Sequence, residues 1–340
     1  MALIILAAYL KENMITKTLH RLRKHGWLLL FSIIFCSSSF AEFPDKPIHI
    51  VVPFTAGGNV DISARTISQA LQEKLNQSII VDNKPGANAM IGADYVAHAK
   101  PDGYTLLLGT AETLAINPHY YSKINYDALK DFTAVGVIGD FPFALVASPN
   151  LNIRSVSELV SLALKNPRKY NFSSWGVGST SQIAFELLKN VAQIDLVHVP
   201  FPGASPAITA VSSGEVQAMM VPLSVAIPQA KNGRVIILGI TSKKRVSQAP
   251  EIPTLIEQNF PVEISGWHIL VAPKLTPPEV IDKLHRALTA SLNQPSTQIN
   301  LDRIGINGSP SSILETQLLL EKAYKRWGEI LKSAKIADKP

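Results

Sequence analysis

The sequence predicts an α/β protein in which helices cover both faces of a parallel β-sheet. Short β-branched runs alternate with helical patterns early in the chain, and a second series of the same kind follows. In each series one apolar strand ends in a glycine-containing turn before a helix. The 340 residues are enough for two domains.

The first series begins with a β-branched strand at 48–52, which stops at Pro53. A helix is predicted over 61–75, because Ile62, Ile67 and Leu71 recur at helical spacing. The series continues with a strand at 79–81, a helix at 90–99 and a strand at 105–108.

The second series has the same alternation and is longer. Its predicted elements are a strand at 143–147, a helix at 155–165, a strand at 170–173, a helix at 181–191, a strand at 196–199, a helix at 206–213 and strands at 218–221 and 235–240. The chain closes with a strand at 269–272 and amphipathic helices at 277–292 and 312–332.

A short internal similarity links the two series. Residues 52–57 read Val-Pro-Phe-Thr-Ala-Gly, and residues 199–204 read Val-Pro-Phe-Pro-Gly-Ala. Ligands of open α/β sheets bind where strand ends meet helix starts, so two such loops would form a cleft between two halves. The alternative is that these are two unrelated turns.

The first 41 residues have the features of a secretory signal peptide. A basic stretch at 20–25 precedes an apolar core at 26–35, and Ser39 and Ala41 supply small residues before a cleavage site near Ala41. A membrane anchor is the alternative, but a span needs roughly 20 apolar residues. We therefore expect an exported, periplasmic protein, with Met1 or Met14 as its start.

Charge and cysteine usage narrow the function classes. Five of the 32 basic residues and one of the 26 acidic residues lie in residues 1–41, so the remainder is close to neutral and nucleic acid is not an expected partner. The only cysteine, Cys36, lies in the signal segment after bulky Phe35, which disfavours lipidation. The exported chain would have no disulfide, thiolate metal site or cysteine nucleophile.

Two loops after strand ends are candidates for anion binding. Gly57 and Gly58 let the backbone approach a ligand at a helix start, where Asp61 would either cap the helix or pair with Arg65. Residues 173–181 read Ser-Ser-Trp-Gly-Val-Gly-Ser-Thr-Ser and suit a carboxylate or phosphate. A serine stands where a dinucleotide site needs its third glycine. A flexible loop with a serine cap is the alternative.

Two more loops complete the set: residues 202–205, and residues 109–113 with the Thr110 hydroxyl. Glu112 is expected to be a solvated carboxylate at a helix start. No Lys or Arg lies in these loops before Arg65, so an anion would be held by neutral donors, each contributing about 0.5–3 kcal/mol. Such binding is reversible, as a carrier requires.

Enzyme and cofactor signatures are missing from the sequence. It has no phosphate-binding Walker loop, no serine nucleophile elbow and no metal spacing among its eight histidines, so neither cofactor nor metal is predicted. His198 and His268 lie in apolar strands and are expected to be satisfied core residues. An enzyme remains the alternative if His198 or Glu112 lies beside a nucleophile in the cleft.

Ordered landmarks extend from about Phe43 to Trp327. They include Phe-Pro-Asp-Lys-Pro-Ile at 43–48, Val-Pro-Phe at 52–54, Asn-Lys-Pro-Gly-Ala at 83–87, Pro-Asp-Gly-Tyr-Thr-Leu at 101–106, Gly-Val-Gly-Ser at 176–179, His-Val-Pro-Phe at 198–201 and Gly-Trp at 266–267. In these the chain resembles the Bug family, the extracytoplasmic receptors of tripartite tricarboxylate transporters.

The resemblance implies a type II periplasmic-binding-protein fold, with two lobes joined by crossing strands. It also implies a small carboxylate ligand held by loop amides, hydroxyls and water. The ligand-binding positions that it implies are Phe54, Thr55, Ala56, Gly57, Gly58 and Asp61 in lobe one, and Ser174, Gly176, Gly178, Ser179, Thr180, Ser181, Gly203, Ala204 and Ser205 in lobe two.

Three positions depart from the family pattern. Gln182 replaces a common His, Val221 replaces a frequent Asp, and Ala210 replaces another frequent acidic residue. If Val221 faces the cleft, the missing carboxylate should disfavour amino acids and favour di- or tricarboxylates or aromatic acids.

We expect a signal peptide at 1–41, lobe one at 42–141 plus 269–340, and lobe two at 142–268. Crossings near 140–143 and 266–269 would form a hinge. Closure would trap the ligand and create the surface recognised by the membrane subunits of a tripartite transporter. The alternative within the binding class is a subunit that presents its ligand to a sensor kinase.

Overall fold

The computed structural model describes residues 42–333. Residues Glu42–Asp45 contain a cis Phe43–Pro44 peptide bond, and a separate compact unit begins at Lys46. The proposed signal peptide, including its cleavage site near Ala41, lies outside the described residues.

Ten strands lie in the described part of the chain. They are β1 (Ile48–Val52), β2 (Ile79–Asn83), β3 (Thr105–Gly109), β4 (Phe132–Ala147), β5 (Asn171–Ser174), β6 (Val197–Pro200), β7 (Ala218–Pro222), β8 (Ile236–Ile240), β9 (Ser265–Pro273) and β10 (Asn307–Gly308).

The helices alternate with these strands. They are α1 (Asn59–Leu75), α2 (Met90–Ala97), α3 (Asn117–Tyr120), α4 (Val156–Lys165), α5 (Thr180–Ala192), α6 (Ala204–Ser213), α7 (Leu223–Lys231), α8 (Pro278–Leu292), α9 (Pro295–Arg303) and α10 (Ile313–Ser333). A π-helical turn, Glu112–Ile116, leads into α3, and a short 3-10 helix, Pro149–Leu151, follows β4.

The strands form two sheets that share β4. The order across both is β2-β1-β3-β9-β4-β7-β5-β6, with β8 and β10 also paired to β4. Pairing is parallel between β1 and its neighbours β2 and β3, and between β5 and its neighbours β6 and β7. The central pairs of β4 with β9 and with β7 are antiparallel. The expected parallel pairing is confirmed in the outer strands of each sheet, and the antiparallel pairs lie at the centre, where long strands connect the two sheets.

The longest strand, β4, was predicted only at its end. Residues 132–142 pair with β9, and residues 143–147 pair with β7 and β8. Gly136, Gly139 and Pro142 interrupt the first part, and the register with β9 shifts beside both glycines. These residues weaken the strand signal in the sequence, which is why only the uninterrupted apolar end was recognised.

Apolar side chains between sheet and helices form the core. In the second sheet Phe172 of β5 stacks on Phe185 of α5, with ring centroids 4.1 Å apart. Three helices were absent from the prediction: the four-residue α3, α7, which contains Pro228, and the polar α9. Between residues 42 and 333, no helix has the length and apolar character needed to cross a membrane.

Candidate ligand-binding site

The candidate loops follow the carboxyl ends of parallel strands in both sheets. Strands β1 and β3 are parallel, so the loops after Val52 and Gly109 lie at one edge of the first sheet. Strands β5 and β6 are parallel, so the loops after Ser174 and Pro200 lie at one edge of the second. In open α/β sheets these edges carry the ligand sites.

Contacts between residues far apart in sequence bring the two edges together. A carboxylate oxygen of Glu112, after β3, accepts hydrogen bonds from the Thr180 amide at 3.1 Å and from the Thr180 hydroxyl. Its other oxygen accepts from the Thr110 hydroxyl at 2.9 Å. Beside them, the Tyr121 hydroxyl donates to the Val177 carbonyl at 3.0 Å. The loops of the two sheets therefore face each other.

Glu112 differs from its expected role. Its side chain is buried, with the residue only 5% exposed, and its carboxylate joins the two sheets. The expectation of a solvated carboxylate is wrong because the chain turns through a π-helical segment at Glu112–Ile116. That turn directs the side chain towards the start of α5 and away from water.

Asp61 organises the first loop. Its carboxylate accepts hydrogen bonds from the Gly57 amide at 2.9 Å, from Asn83 at 3.0 Å and from the Arg65 guanidinium at 3.0 Å. Burial raises the pKa of Asp61, but the hydrogen bonds from Arg65, Gly57 and Asn83 outweigh burial and hold the pKa below its ordinary value. The predicted pairing with Arg65 is confirmed. The helix cap is Gly58 rather than Asp61.

The loop before α5 is built in a similar way. Ser179 caps the helix and accepts from the Gln182 amide at 3.4 Å, while the Gln182 side-chain oxygen accepts from the Gly178 amide at 2.7 Å. Asp61 and Gln182 thus both reach back four residues to a glycine amide. The Ser-x-x-Gln spacing is that of a capping box, a signal the sequence analysis did not use.

Many predicted donors in the second sheet are engaged within the protein. The Gly176 amide donates to the Ser174 hydroxyl at 3.2 Å, and the Thr180 amide donates to Glu112. The Ser179 hydroxyl donates to the Gly176 carbonyl, and the Ser181 hydroxyl donates to the Met220 carbonyl. These groups shape the loop rather than offering free hydrogen-bond donors.

Free donors lie in the other two loops. Among residues 42–333, the amides of Thr55, Ala56 and Gly58 donate to no protein acceptor, and neither do those of Ala204 and Ser205. All of these residues except the partly buried Ala204 are exposed. These free amides follow β1 and β6, the two strands whose ends share the similar sequences at 52–57 and 199–204.

The glycines keep these turns open. Gly57 and Gly203 have φ angles of +82° and +136°, which favour glycine. A side chain at Gly57 or Gly176 would meet no atom within 4 Å, so the backbone there faces open space. Phe54 is partly buried, and its carbonyl accepts from Asn83 at 3.1 Å.

His198 lies beside a hydroxyl, as the enzyme alternative requires. The Nε2 atom of His198 is 2.7 Å from the Ser174 hydroxyl oxygen. Burial, reinforced by Lys189, lowers the pKa of His198 to about 4. Ser174 is fully buried, however, and its hydroxyl donates to the Gly176 carbonyl at 2.9 Å. A buried hydroxyl occupied in this way is poorly placed to attack a ligand.

His268 is not the satisfied core residue that its sequence suggested. It is fully buried in β9, and neither ring nitrogen has a hydrogen-bond partner among the described residues. Its ring lies 5.0 Å from that of Phe141 in β4. Burial lowers the pKa of His268 to about 3, so the ring is neutral at physiological pH.

Two of the family departures are buried side chains. Val221 is fully buried and Ala210 is 3% exposed, and both belong to the apolar core of the second sheet. The preference for di- or tricarboxylates or aromatic acids over amino acids stays a prediction.

A cavity of about 650 Å³ lies elsewhere, and no candidate residue lines it. It is bordered by Lys46, His49 and Thr105, at the amino ends of β1 and β3. Within residues 42–333 no group of His, Cys, Asp or Glu is arranged to hold a metal ion. The chemically suited donors are thus those at the facing loop edges.

Sequence reasoning missed Asn83 and Tyr121. Asn83 connects Asp61, Arg65 and the Phe54 carbonyl, and Tyr121 contacts Val177 across the two sheets. Asn83 ends an apolar strand at the same sheet edge as the loop after β1, which was an available signal. Nothing in the sequence indicated the pairing of Tyr121 with Val177.

Two sheets sharing a long strand, with neutral donors on facing loop edges, define a solute-binding protein of the periplasmic-binding type. Solved structures of similar chains belong to the same class. The chain is similar to an R. palustris protein with adipate (TM-score 0.84, 32% identity, covering 88% of this chain and 100% of that one). It is similar to the periplasmic binding protein BugD (TM-score 0.81, 30% identity, 87% and 100%).

A third similar structure is MatC from Rhodopseudomonas palustris with bound malate (TM-score 0.80, 30% identity, 85% and 100%). The family model described as tripartite tricarboxylate transporter family receptor matches residues 63–336. The chain belongs to this receptor family, and its resemblance to the Bug receptors is confirmed.

Proposed function

We propose that this chain is an exported receptor that binds a small carboxylate between the loop edges of its two sheets and delivers it to the membrane subunits of a tripartite transporter. The observation that carries the proposal is the bridge from Glu112 to Thr180, which sets the two edges face to face. Adipate and malate accompany two relatives of similar fold, and both are carboxylates.

The chemistry of the loops supports binding of an anion by uncharged hydrogen-bond donors. The free amides of Thr55, Ala56 and Gly58 and of Ala204 and Ser205 are suited to carboxylate oxygens. Amides at α1 and α6 also carry the positive ends of helix dipoles. Arg65 forms an ion pair with Asp61, so its positive charge is already balanced within the protein.

The test is to identify the ligand directly. Protein purified from its periplasm should release a small organic acid in native mass spectrometry, and that acid should bind the stripped protein in calorimetry. Recovery of only cationic or uncharged ligands would contradict the proposal. Amino-terminal sequencing of the same sample tests export, since cleavage should leave Glu42 first.

Different measurements distinguish the transport role from two alternatives, a sensor subunit and an enzyme. A sensor role predicts that the loaded protein binds a kinase ectodomain rather than transporter subunits. The pair Ser174 and His198 favours the enzyme alternative, which predicts turnover of the bound acid or its ester and its loss in Ser174→Ala. We expect no turnover, because Ser174 is fully buried.

A further inference from the structure

One carboxylate of the chain occupies a position suited to a ligand. Thr180 is the first residue of the 13-residue helix α5, and its amide would lack an intrahelical acceptor. The Thr110 and Thr180 hydroxyls converge on the same place, and Glu112 satisfies all three donors. A helix start with hydroxyls on both sides is favourable for any carboxylate.

No cation shares this position. In the described part of the chain Glu112 forms no ion pair, and the nearest contacts are neutral donors. A second carboxylate brought alongside would meet the negative charge of Glu112 in a site shielded from water, where repulsion is strong. The free donors after β1 and β6 are therefore the places left for an incoming carboxylate.

We propose that Glu112 is a specificity-determining residue that acts as a tethered competitor for one carboxylate position of the cleft. This inference rests on the proposed carboxylate-binding function. A tethered group competes at an effective concentration on the order of millimolar or higher. The receptor therefore favours acids that present one carboxylate to the loops after β1 and β6, and it disfavours acids that need a second position at the start of α5.

Calorimetry with two acids of equal chain length tests this. Adipate carries two carboxylates and hexanoate carries one. In Glu112→Ala the ratio of adipate affinity to hexanoate affinity should rise about tenfold over wild type, since a charged group gains the vacated donors. Glu112→Gln keeps the position filled without the charge, so both affinities should rise and their ratio should change less than in Glu112→Ala.

Exposed Glu215, in the turn between α6 and β7, provides the control, because Glu215→Gln removes one negative charge at the amino end of β7, opposite the loop edge of the second sheet. That variant should leave the ratio unchanged. Circular dichroism and thermal unfolding establish that each variant folds, and Glu112→Gln tests the inference through charge if Glu112→Ala does not fold.

The results separate this inference from the function on which it rests. If wild type binds either acid and the ratio is the same in Glu112→Ala, or both affinities fall equally, Glu112 only supports the fold and the inference is overturned. If no folded form binds any acid, the proposed function itself fails.

Discussion

Replacing Asp61 by Asn tests whether one buried carboxylate holds the first loop in place. Asp61 is 3% exposed and receives hydrogen bonds from Gly57, Arg65 and Asn83. Asn has the same shape but no charge, and its amide group would point a donor at one of these donors. The change therefore removes the ion pair and leaves at least one hydrogen bond unmade.

The magnitude follows from the exposure of the two partners. Removing one partner of a fully buried ion pair costs about 3–5 kcal/mol. The Arg65 side chain is 54% exposed, so water can solvate it once Asp61 is gone. We expect Asp61→Asn to lower the free energy of unfolding by about 2–3 kcal/mol, which for a chain of this size lowers Tm by about 5–10 °C.

Urea unfolding of wild type and variant at several pH values is the assay. Because the folded-state pKa of Asp61 is lowered, its stabilisation is complete above the unfolded pKa of about 4 and disappears as pH falls through the folded pKa. The difference from wild type should therefore be full at pH 7 and shrink in stronger acid. Asp282→Asn, at an exposed site in α8, is the control. A difference below about 0.5 kcal/mol at pH 7 would refute the reasoning.

Two further variants test packing and titration. Gly178→Ala should cost about 1 kcal/mol more than Gly233→Ala in thermal unfolding. Both glycines have positive φ, but only at Gly178 would the new methyl lie 3.0 Å from the Tyr120 ring, and equal costs would contradict this. Burial lowers the pKa of His268 to about 3, so the contribution of His268 to stability should fall by up to about 1.4 kcal/mol per pH unit as pH drops below about 6.5. In urea titrations His268→Leu should lose that slope and His98→Gln should retain it, whereas an unchanged slope in His268→Leu would contradict a neutral buried ring.

The outer parts of the fold were predictable because their signals are local. Strand β1 and the start of β2 were assigned where the structure has them, since both are β-branched runs and β1 is bounded by Pro47 and Pro53. The centre of the fold was not predictable, because Gly136, Gly139 and Pro142 interrupt the strand pattern of β4. In addition, its partner strand β9 lies more than 100 residues away in the sequence. Strand direction there depends on which distant segment pairs with it, and no local pattern encodes that pairing. The lobe boundaries at 141 and 269 stay a prediction.

Asp61 and Glu112 show where prediction of the site stops. The pairing of Asp61 with Arg65 follows from a four-residue spacing on one helix, and the structure contains it. The contact of Glu112 with Thr180 joins residues 68 positions apart, at the edges of different sheets. In sequence both are acidic residues near helix starts. Only the folded chain shows that one stabilises a loop whose neighbouring amides remain free, while the other occupies the donors of the opposite loop. The set of neutral donors was predictable from the loop sequences. Which of these donors bind other groups of the protein depends on tertiary contacts, which no local pattern encodes. The ratio of adipate affinity to hexanoate affinity in Glu112 variants therefore distinguishes a carboxylate that only supports the fold from one that competes with the ligand.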